Sequence, residues 1–371
     1  MSDMKTAVVL TTIRVPEILD GASKNIIKYG HDNETEFIII GDTKTPKEVA
    51  KYVDQISGRG IKMRYYDVQE QKTKLAKYQK AADTIPYASD ARRNAGFLLA
   101  AEEGFDKYIT LDDDNFPMEE DFVGQHNIIG DHLSNYLTVN SSNMWFNPCS
   151  MLETEPRSRI YQRGFPYSKR WNDKYQFTKE SGKVVVNEGL WLSTPDADAI
   201  THIVDPVLVK KMTSEPVMLG KNVYAPINTQ NTSFLKEVLP AFFFIPGEMI
   251  HNTNMNRLGD IWCGYFCQKV VQHMGHRVTI GKPLADHRRN THNYPKDMME
   301  ESWGMYCMDA LVNKLQTTEL SSKSYAGAYS ELGLALSKAD FVDDNEMKKF
   351  WQKTGQSMQI WAETCESIIG T

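Results

Sequence analysis

The stretch Lys107-Tyr108-Ile109-Thr110-Leu111-Asp112-Asp113-Asp114 joins a short apolar run to three consecutive carboxylates. Residues 107–111 have the composition of a buried β-strand. The carboxylates that follow repel one another, and a strand end has no structural need for them, so a bound cation would remove that cost. Hard cations such as Mg²⁺ and Mn²⁺ prefer oxygen ligands and also bridge diphosphate oxygens. The alternative interpretation is a solvated acidic turn after the strand.

Alternation along an extended segment divides the roles within this acidic triplet. Successive side chains of such a segment point to opposite sides, so Asp112 and Asp114 share one side. We therefore predict that Asp112 and Asp114 are ligands of a divalent metal, Mn²⁺ or Mg²⁺. Asp113 is expected to turn aside or toward the ribose of a bound nucleotide.

Strands and helices alternate in the first part of the chain. Strands are predicted at residues 6–12, 36–40, 61–68 and 107–111, and helices at residues 16–29, 45–56 and 89–103. This alternation is typical of an α/β fold with a mainly parallel sheet and helices on both faces. Ligands of such sheets bind where the strands end. One crevice is therefore expected to collect Thr12, Arg14, Asp42 and the triplet.

The predicted nucleotide site follows from these strand ends. Its residues are Thr12, Arg14, Asp42, Arg93 and Asp113. Thr12, Arg14 and Asp42 lie at adjacent strand ends and are expected to line the pocket for the base and the ribose. The alternative role for Arg14 is to cap the helical region that follows it.

Composition excludes several classes of function. The chain has 371 residues and a net charge of −6, which argues against general nucleic-acid binding. Its most apolar run, residues 240–246, is far shorter than a membrane span. Five scattered cysteines without a recognisable signal peptide predict reduced thiols and a cytoplasmic location. No G-x-G-x-x-G motif and no P-loop occur, so a dinucleotide or flavin fold is unsupported.

The chain after the triplet divides into two regions. Residues 140–293 are irregular and rich in aromatic residues, Pro and Asn, which predicts short strands and loops that build a sugar site over the sheet. Residues 294–371 have helical periodicity. We predict a nucleotide-sugar-binding catalytic domain over residues 1–295 and a C-terminal helical extension over residues 296–371. The extension is expected to be either a structural layer or the interface of a homo-oligomer.

Basic residues in two segments are candidates for binding the metal and the diphosphate. His287 precedes Arg288 and Arg289, and an imidazole is a suitable additional ligand for Mn²⁺. The two arginines would neutralise a diphosphate as part of the substrate site. Arg163 stands before Gly164 in a turn, where a fixed cation suits a phosphate or a developing negative leaving group. Its alternative role is a surface arginine.

Two further motifs place a carboxylate near a glycine and a tryptophan. They are Asn187-Glu188-Gly189-Leu190-Trp191 and Gly259-Asp260-Ile261-Trp262. Aromatic faces pack on sugar C–H groups, and carboxylates hold hydroxyls or move protons. Glu188 and Asp260 are therefore catalytic candidates, and the two tryptophans are substrate-binding candidates. The alternative is that both tryptophans belong to the core and both acids cap helices.

The ordered set of motifs resembles a known family, the reversibly glycosylated polypeptides, or UDP-arabinopyranose mutases, with bacterial relatives that act on GDP-sugars. The matching stretches are Thr12-Ile13-Arg14, Ile109 to Asp114, Arg163 to Ser168, Gly189 to Leu192 with Pro195-Asp196 and Asp198, Asp260 to Trp262 with Gly264, and His287. The chain departs from the family pattern at Asn115, where the family has cysteine, and at Gly41-Asp42-Thr43. Both departures lie near the nucleotide site, so the base stays open between uracil and guanine.

The resemblance implies a glycosyltransferase A-type fold and a pyranose–furanose mutase that uses a divalent metal and no flavin. Its substrate would be a nucleotide-diphosphate sugar, and its catalytic residues Arg163, Asp260 and Glu188. In the plant members the arginine that matches Arg163 also becomes glycosylated. Two alternatives remain: a glycosyltransferase with Asp260 as its base, and a non-catalytic self-glycosylating scaffold.

Overall fold

Four apolar strands form the parallel half of the sheet. The computed structural model describes residues 4–171 and 174–370. Strands β1 (Thr6–Thr12), β2 (Thr35–Gly41), β3 (Lys62–Tyr66) and β4 (Lys107–Leu111) pair in the order β3-β2-β1-β4. All three pairings are parallel, as the sequence predicts. Strands β2 and β4 are buried along their whole length because helices cover both faces of this half.

The helices follow the predicted alternation and then form the C-terminal layer. They are α1 (Ile18–Lys28), α2 (Glu48–Ser57), α3 (Val68–Leu75), α4 (Gln79–Ala82), α5 (Arg93–Glu102), α6 (Phe122–His126), α7 (Ala199–Val204), α8 (Gly259–His273), α9 (Tyr294–Thr317), α10 (Tyr325–Ser337) and α11 (Asn345–Ile369). Short 3₁₀ turns cover Ala76–Tyr78, Asp90–Arg92, Pro148–Met151, Tyr167–Lys169 and Lys236–Ala241.

The sheet continues beyond the triplet as a mixed sheet. Its later strands are β5 (Asn115–Pro117), β6 (His132–Ser141), β7 (Leu152–Glu155), β8 (Tyr175–Ser193), β9 (Leu208–Met212), β10 (Val217–Leu219), β11 (Asn231–Leu235) and β14 (Arg277–His287). Strands β12 (Glu248–Ile250) and β13 (Thr253–Met255) form a separate antiparallel pair. Strand β11 lies antiparallel between β4 and β8, and β8 runs parallel to β14. The predicted α/β fold with a C-terminal helical extension is confirmed.

Two apolar layers cover the parallel strands. Alternate residues of β1 belong to different layers: Val8 and Leu10 pack with α1 and α2, and Ala7 and Val9 pack on the side of α5. This division follows from the twofold periodicity of a strand. The second layer is the larger and extends through α8 to the C-terminal helices.

The C-terminal helices share this larger core. The Trp262 ring on α8 lies 4.9 Å from that of Trp351 on α11, and Trp361 Nε1 donates to Leu239 O at 3.0 Å. Helix α9 begins at Tyr294, so the expected division between residues 295 and 296 falls in its first turn. All five cysteines are free and buried. Among the described helices, none is both long and apolar enough to cross a bilayer.

Candidate active site

A cleft of about 310 Å³ opens at the carboxyl ends of β1, β2 and β4. It collects most of the predicted site residues, namely Thr12, Arg14, Asp42, Arg93, Asp112, Asp113, Asp114, Arg163, Asp260, His287 and Arg289. Strand order explains this, because β1, β2 and β4 are neighbours and end at the same edge of the sheet.

The three carboxylates of the triplet have different partners. Asp112 pairs with the nearly buried Arg93 at 2.6 Å. Asp113 accepts from Thr12 Oγ1 at 2.8 Å and lies 3.2 Å from Arg14 Nε. Among the described residues, the one basic side chain within ion-pair distance of Asp114 is that of His287. Burial and the charges of Asp112 and Asp113 raise the pKa of Asp114 to about 7.

His287 is oriented so that one ring nitrogen faces Asp114. Its Nδ1 lies 2.8 Å from Thr194 O, and because a carbonyl oxygen only accepts, Nδ1 carries the hydrogen. Nε2 therefore keeps its lone pair, and it lies 3.8 Å from Asp114 Oδ2. Burial lowers the pKa of His287, which favours the neutral ring. A backbone contact of this kind is how proteins orient histidines that bind metals.

Asn290 closes the same side of the cleft. Its Nδ2 donates to Asp114 Oδ2 at 3.1 Å, and its Oδ1 accepts from Arg14. Within residues 4–171 and 174–370, no group of three or more His, Cys, Asp or Glu side chains is arranged to hold a metal. Of the three predicted metal ligands, Asp114 and His287 lie near each other, whereas Asp112 pairs with Arg93.

Asp42 supports the cleft wall. Its carboxylate accepts from the backbone N–H groups of Thr43, Ala88 and Ser89 at 2.6, 2.9 and 3.2 Å. These bonds hold the loop 88–89 against the end of β2. The contacts of Asp42 therefore differ from the predicted contact with the base or the ribose.

Arg163 is buried between two carboxylates. Its Nε donates to Asp196 Oδ1 at 2.7 Å, and one amino group donates to Asp260 Oδ2 at 2.5 Å. The other amino group donates to Asp260 Oδ1 at 3.0 Å and also to Arg257 O. Burial opposes the charge, but Asp196 and Asp260 hold the pKa of Arg163 well above its usual value.

All five N–H groups of Arg163 are therefore occupied, since Asp196 Oδ2 accepts the last at 3.3 Å. The expected contact between Arg163 and a leaving group stays a prediction, since these N–H groups are all directed to protein acceptors. The guanidinium instead fixes Asp196 and Asp260. Gly164, with φ +85°, allows the turn that follows, where a Cβ atom would lie 2.4 Å from Ile261 Cγ2.

A family model described as reversibly glycosylated polypeptide matches residues 32–369. The chain belongs to the reversibly glycosylated polypeptide family.

Curated relatives of this reversibly glycosylated polypeptide carry mutase names. "Probable UDP-arabinopyranose mutase 4" of Arabidopsis thaliana is 28% identical over 293 residues, covering 77% of this chain and 74% of that protein. "UDP-arabinopyranose mutase 1" of the same plant is 25% identical over 290 residues, with 77% and 75% covered. "UDP-arabinopyranose mutase 1" of Oryza sativa subsp. japonica is 24% identical over 290 residues, with 77% and 74% covered.

Solved structures similar to this chain are distant. Glucosyl-3-phosphoglycerate synthase from Mycobacterium tuberculosis, in complex with Mn²⁺ and UDP-glucose, has a TM-score of 0.40 at 9% identity, covering 82% of this chain and 78% of that one. A mannosyltransferase from Pyrobaculum calidifontis, in complex with GDP-Man and Mn²⁺, has a TM-score of 0.38 at 10% identity, covering 100% and 88%. Neither carries information about the ligands of this reversibly glycosylated polypeptide.

Glu188 lies behind the cleft wall and does not line the cleft, so its predicted catalytic role is not supported. Its Oε1 accepts from Gln162 Nε2 at 2.9 Å and from Asn228 N at 3.3 Å. Burial raises the pKa of Glu188 to about 8, so the carboxyl is mainly protonated at neutral pH. It lies in strand β8, so the helix-cap alternative is also wrong.

Both predicted substrate-binding tryptophans belong to the core. Trp191 packs with Cys149, Ile160 and Val209 in a small cluster, and it is 1% exposed. Trp262 packs against α11, and neither ring lines the cleft. The prediction that they contact a sugar is wrong, and the structural alternative holds for both.

The two adjacent arginines diverge after β14. Arg288 points to solvent, where it pairs with Asp286 at 2.7 Å and covers the Phe116 ring, and it does not line the cleft, so its predicted substrate contact is not supported. Arg289 turns into the cleft and contacts His202 Nε2. Within the described chain Arg289 forms no ion pair, and burial lowers the pKa of its guanidinium.

The cleft also contains residues that the sequence did not single out as site residues. They include Lys44, Asp90, Asp196, Asn256, Arg257, Asn290, His292 and Glu300. Arg257 lies three residues before Asp260 and pairs with the buried Glu301 at 3.1 Å. The sequence offered one indication of their role, because several of these residues are close in sequence to the motifs described above.

Proposed function

We propose that this protein is a metal-dependent, flavin-independent mutase that interconverts the pyranose and furanose forms of a UDP- or GDP-linked sugar. The main support is the partly buried cation Arg289, which has no carboxylate partner among the described residues and lies in the same cleft as Asp114 and His287. A partly buried cation without a counter-charge favours the binding of an anionic ligand. A diphosphate meets that need, and the names of the curated relatives supply the reaction.

Asp114 and His287 fit a divalent cation. Asp114 contributes a carboxylate that is partly buried beside other negative charges, which a cation would neutralise. His287 contributes the lone pair of Nε2, and the bond to Thr194 O orients its ring. Two protein ligands are enough for an ion such as Mg²⁺, which completes its coordination with water and substrate phosphates. When bound, the cation would neutralise negative charge on the departing diphosphate.

The nucleotide end of the cleft is proposed to lie around Thr12, Arg14 and Asp113. Thr12 Oγ1 donates to Asp113, and Arg14 lies against the same carboxylate. Lys44 also lines this end and forms no ion pair with a described residue. These groups are suited to hold the ribose and the first phosphate.

The Arg14→Ala variant is expected to bind the bare nucleotide diphosphate about fivefold more weakly, because a half-exposed arginine contributes roughly 1 kcal/mol. Isothermal titration with UDP and with GDP in the presence of Mn²⁺ measures this. Arg288→Ala is the matched control, since that side chain points to solvent. Equal affinities for Arg14→Ala and the parent would remove Arg14 from the site.

Arg289 is proposed to hold the diphosphate while the sugar changes shape. The same group must leave C1 and return to it, so it has to stay bound close by. Arg289→Ala is expected to lower kcat about a hundredfold, the usual cost of one donor to developing negative charge. Steady-state kinetics beside Arg288→Ala test this, and equal kcat values for the two variants would show that Arg289 does not contact the leaving group.

The proposed reaction keeps its atoms in balance. The C1–oxygen bond to the diphosphate breaks, and the bonding electrons leave with the diphosphate. A second sugar hydroxyl bonds to C1 and loses a proton, and the original ring oxygen leaves C1 and gains one. The diphosphate then re-forms its bond to C1, so a net isomerisation needs no oxidant, no reductant and no acceptor.

The decisive experiment omits any acceptor. Purified protein with Mn²⁺ or Mg²⁺, and without flavin or reductant, is incubated with UDP- and GDP-linked pyranoses, and the products are separated by anion-exchange chromatography and identified by NMR. A new isomeric nucleotide sugar supports the mutase. Diphosphate release that requires an added acceptor would instead indicate a glycosyltransferase, and binding without turnover a scaffold.

A further inference from the structure

Asp90 is an exposed carboxylate that lines the cleft. It begins the 3₁₀ turn Asp90–Arg92, which leads directly into α5. Its side chain lines the cleft, and within the described chain it forms neither a hydrogen bond nor an ion pair. Asp112, Asp196 and Asp260 are each paired with an arginine.

The position of Asp90 is fixed from both sides. Asp42 holds the backbone N–H groups of Ala88 and Ser89, and Ser89 Oγ accepts from Ala91 N at 3.3 Å. Ala88 has φ +53°, a left-handed conformation that these bonds maintain. On the other side the buried Arg92 donates to Gln71 Oε1 and to Ile85 O. These bonds fix the backbone on either side of Asp90 and so place its side chain at the cleft.

A structural role explains Asp90 less well. Acidic residues are favoured in the first turn of a helix because they accept from its free N–H groups. Here Ser89 already provides that cap, and Asp90 accepts from no backbone group. The side chain of Asp90 is exposed to solvent at the cleft, where a bound sugar can reach it.

The reaction proposed above needs a group that moves one proton. A proton must be removed from the hydroxyl that closes the new ring, and a proton must be supplied to the ring oxygen that leaves C1. Asp196 and Asp260 are unsuited, because Arg163 occupies both oxygens of each. Asp114 lies beside His287 at the position proposed for the cation.

We propose that Asp90 is the catalytic residue that takes the proton from the ring-closing hydroxyl and returns it to the departing ring oxygen. The hydroxyl oxygen bonds to C1 as its O–H electrons stay on oxygen and its proton moves to Asp90. The C1–ring-oxygen bond then breaks, and the same proton passes from Asp90 to that oxygen. Asp90 ends unprotonated, as it began. This inference rests on the proposed mutase function.

The test separates cleavage of the C1–diphosphate bond from ring exchange. Asp90→Asn keeps the size of the side chain and removes the proton acceptor. Mutase turnover is expected to fall about a hundredfold, the usual contribution of general acid–base catalysis. Cleavage is followed in parallel by exchange of ¹⁸O between bridging and non-bridging positions of the β-phosphate, measured by ³¹P NMR, and by slow release of nucleotide diphosphate. Both are expected to continue within a few-fold of the parent rate.

Controls make the outcomes distinct. Asp83→Asn changes an exposed carboxylate whose one side-chain hydrogen bond among the described residues is to Gln79, and this variant should match the parent in every assay. Unchanged turnover in Asp90→Asn, or bond cleavage that falls as far as turnover, would overturn the role of Asp90. A parent protein that forms no isomeric product would instead overturn the mutase function itself. Unchanged affinity for the diphosphate and an unchanged melting temperature show that Asp90→Asn is folded.

Discussion

The double variant Asp114→Asn/His287→Ala is expected to lose about a thousandfold or more of its turnover and its response to added Mn²⁺ or Mg²⁺. These two side chains are the protein ligands proposed for the cation, and Nε2 of His287 lies 3.8 Å from Asp114. Metal stabilisation of a departing diphosphate is worth several kcal/mol, and about 4 kcal/mol corresponds to that loss in rate. Titration calorimetry with Mn²⁺, in the presence of the nucleotide diphosphate, should show no remaining site.

His287 is a better choice than Asp112 as the second substituted position in this double variant. Asp112 neutralises the buried Arg93, so its loss would leave an uncompensated cation and confuse a metal effect with a stability effect. His276→Ala, which removes a histidine hydrogen-bonded to Tyr325 outside the cleft, is the control. Full turnover of the parent in excess chelator would disprove metal dependence, whatever the variants show.

Strand order and strand ends were predictable from the sequence because both depend on local patterns. Continuous apolar runs mark buried parallel strands, and an α/β sheet places their carboxyl ends at one edge. Helical periodicity in the sequence was likewise sufficient to predict helices α10 and α11. Strand β8 was harder, since its first residues, 175–181, are largely exposed and polar and gain their strand character only by pairing with β6.

The errors in the site arise from geometry that adjacency in sequence does not reveal. Glu188 and Trp191 are three residues apart in a strand, so they point to opposite faces. Asp260 and Trp262 are two residues apart in a helix, so they also diverge, and Asp260 reaches the cleft while Trp262 enters the core. Of the four residues predicted from these two motifs, Asp260 alone lines the cleft.

Ion pairing is the second feature that the sequence could not supply. The partners of Arg163 are 33 and 97 residues away, and the sequence contains no pattern that links them. Asp90 was overlooked because an aspartate at the start of a helix usually has a capping role. The contacts distinguish the two cases, since Arg163 has every donor occupied and Asp90 has no partner in the described chain.

The Arg163→Leu variant is expected to be destabilised by about 3–5 kcal/mol, because it leaves Asp196 and Asp260 buried without a counter-charge. Arg163→Lys should lose less, since it keeps the charge but cannot form bidentate bonds to two carboxylates at once. Urea unfolding followed by tryptophan fluorescence measures the change. The exposed Arg288→Leu should stay within about 0.5 kcal/mol of the parent.

A rescue separates the structural role of Arg163 from contact with substrate. If the loss comes from uncompensated charge, the triple variant Arg163→Leu/Asp196→Asn/Asp260→Asn should recover part of the stability, because the two buried carboxylates are then neutral. A contact with the leaving group predicts a different pattern: Arg163→Lys would keep the parent's stability and lose about a hundredfold in kcat. That pattern would mean that Arg163 releases one of its carboxylates when substrate binds, and the role assigned here to its five occupied N–H groups would be wrong.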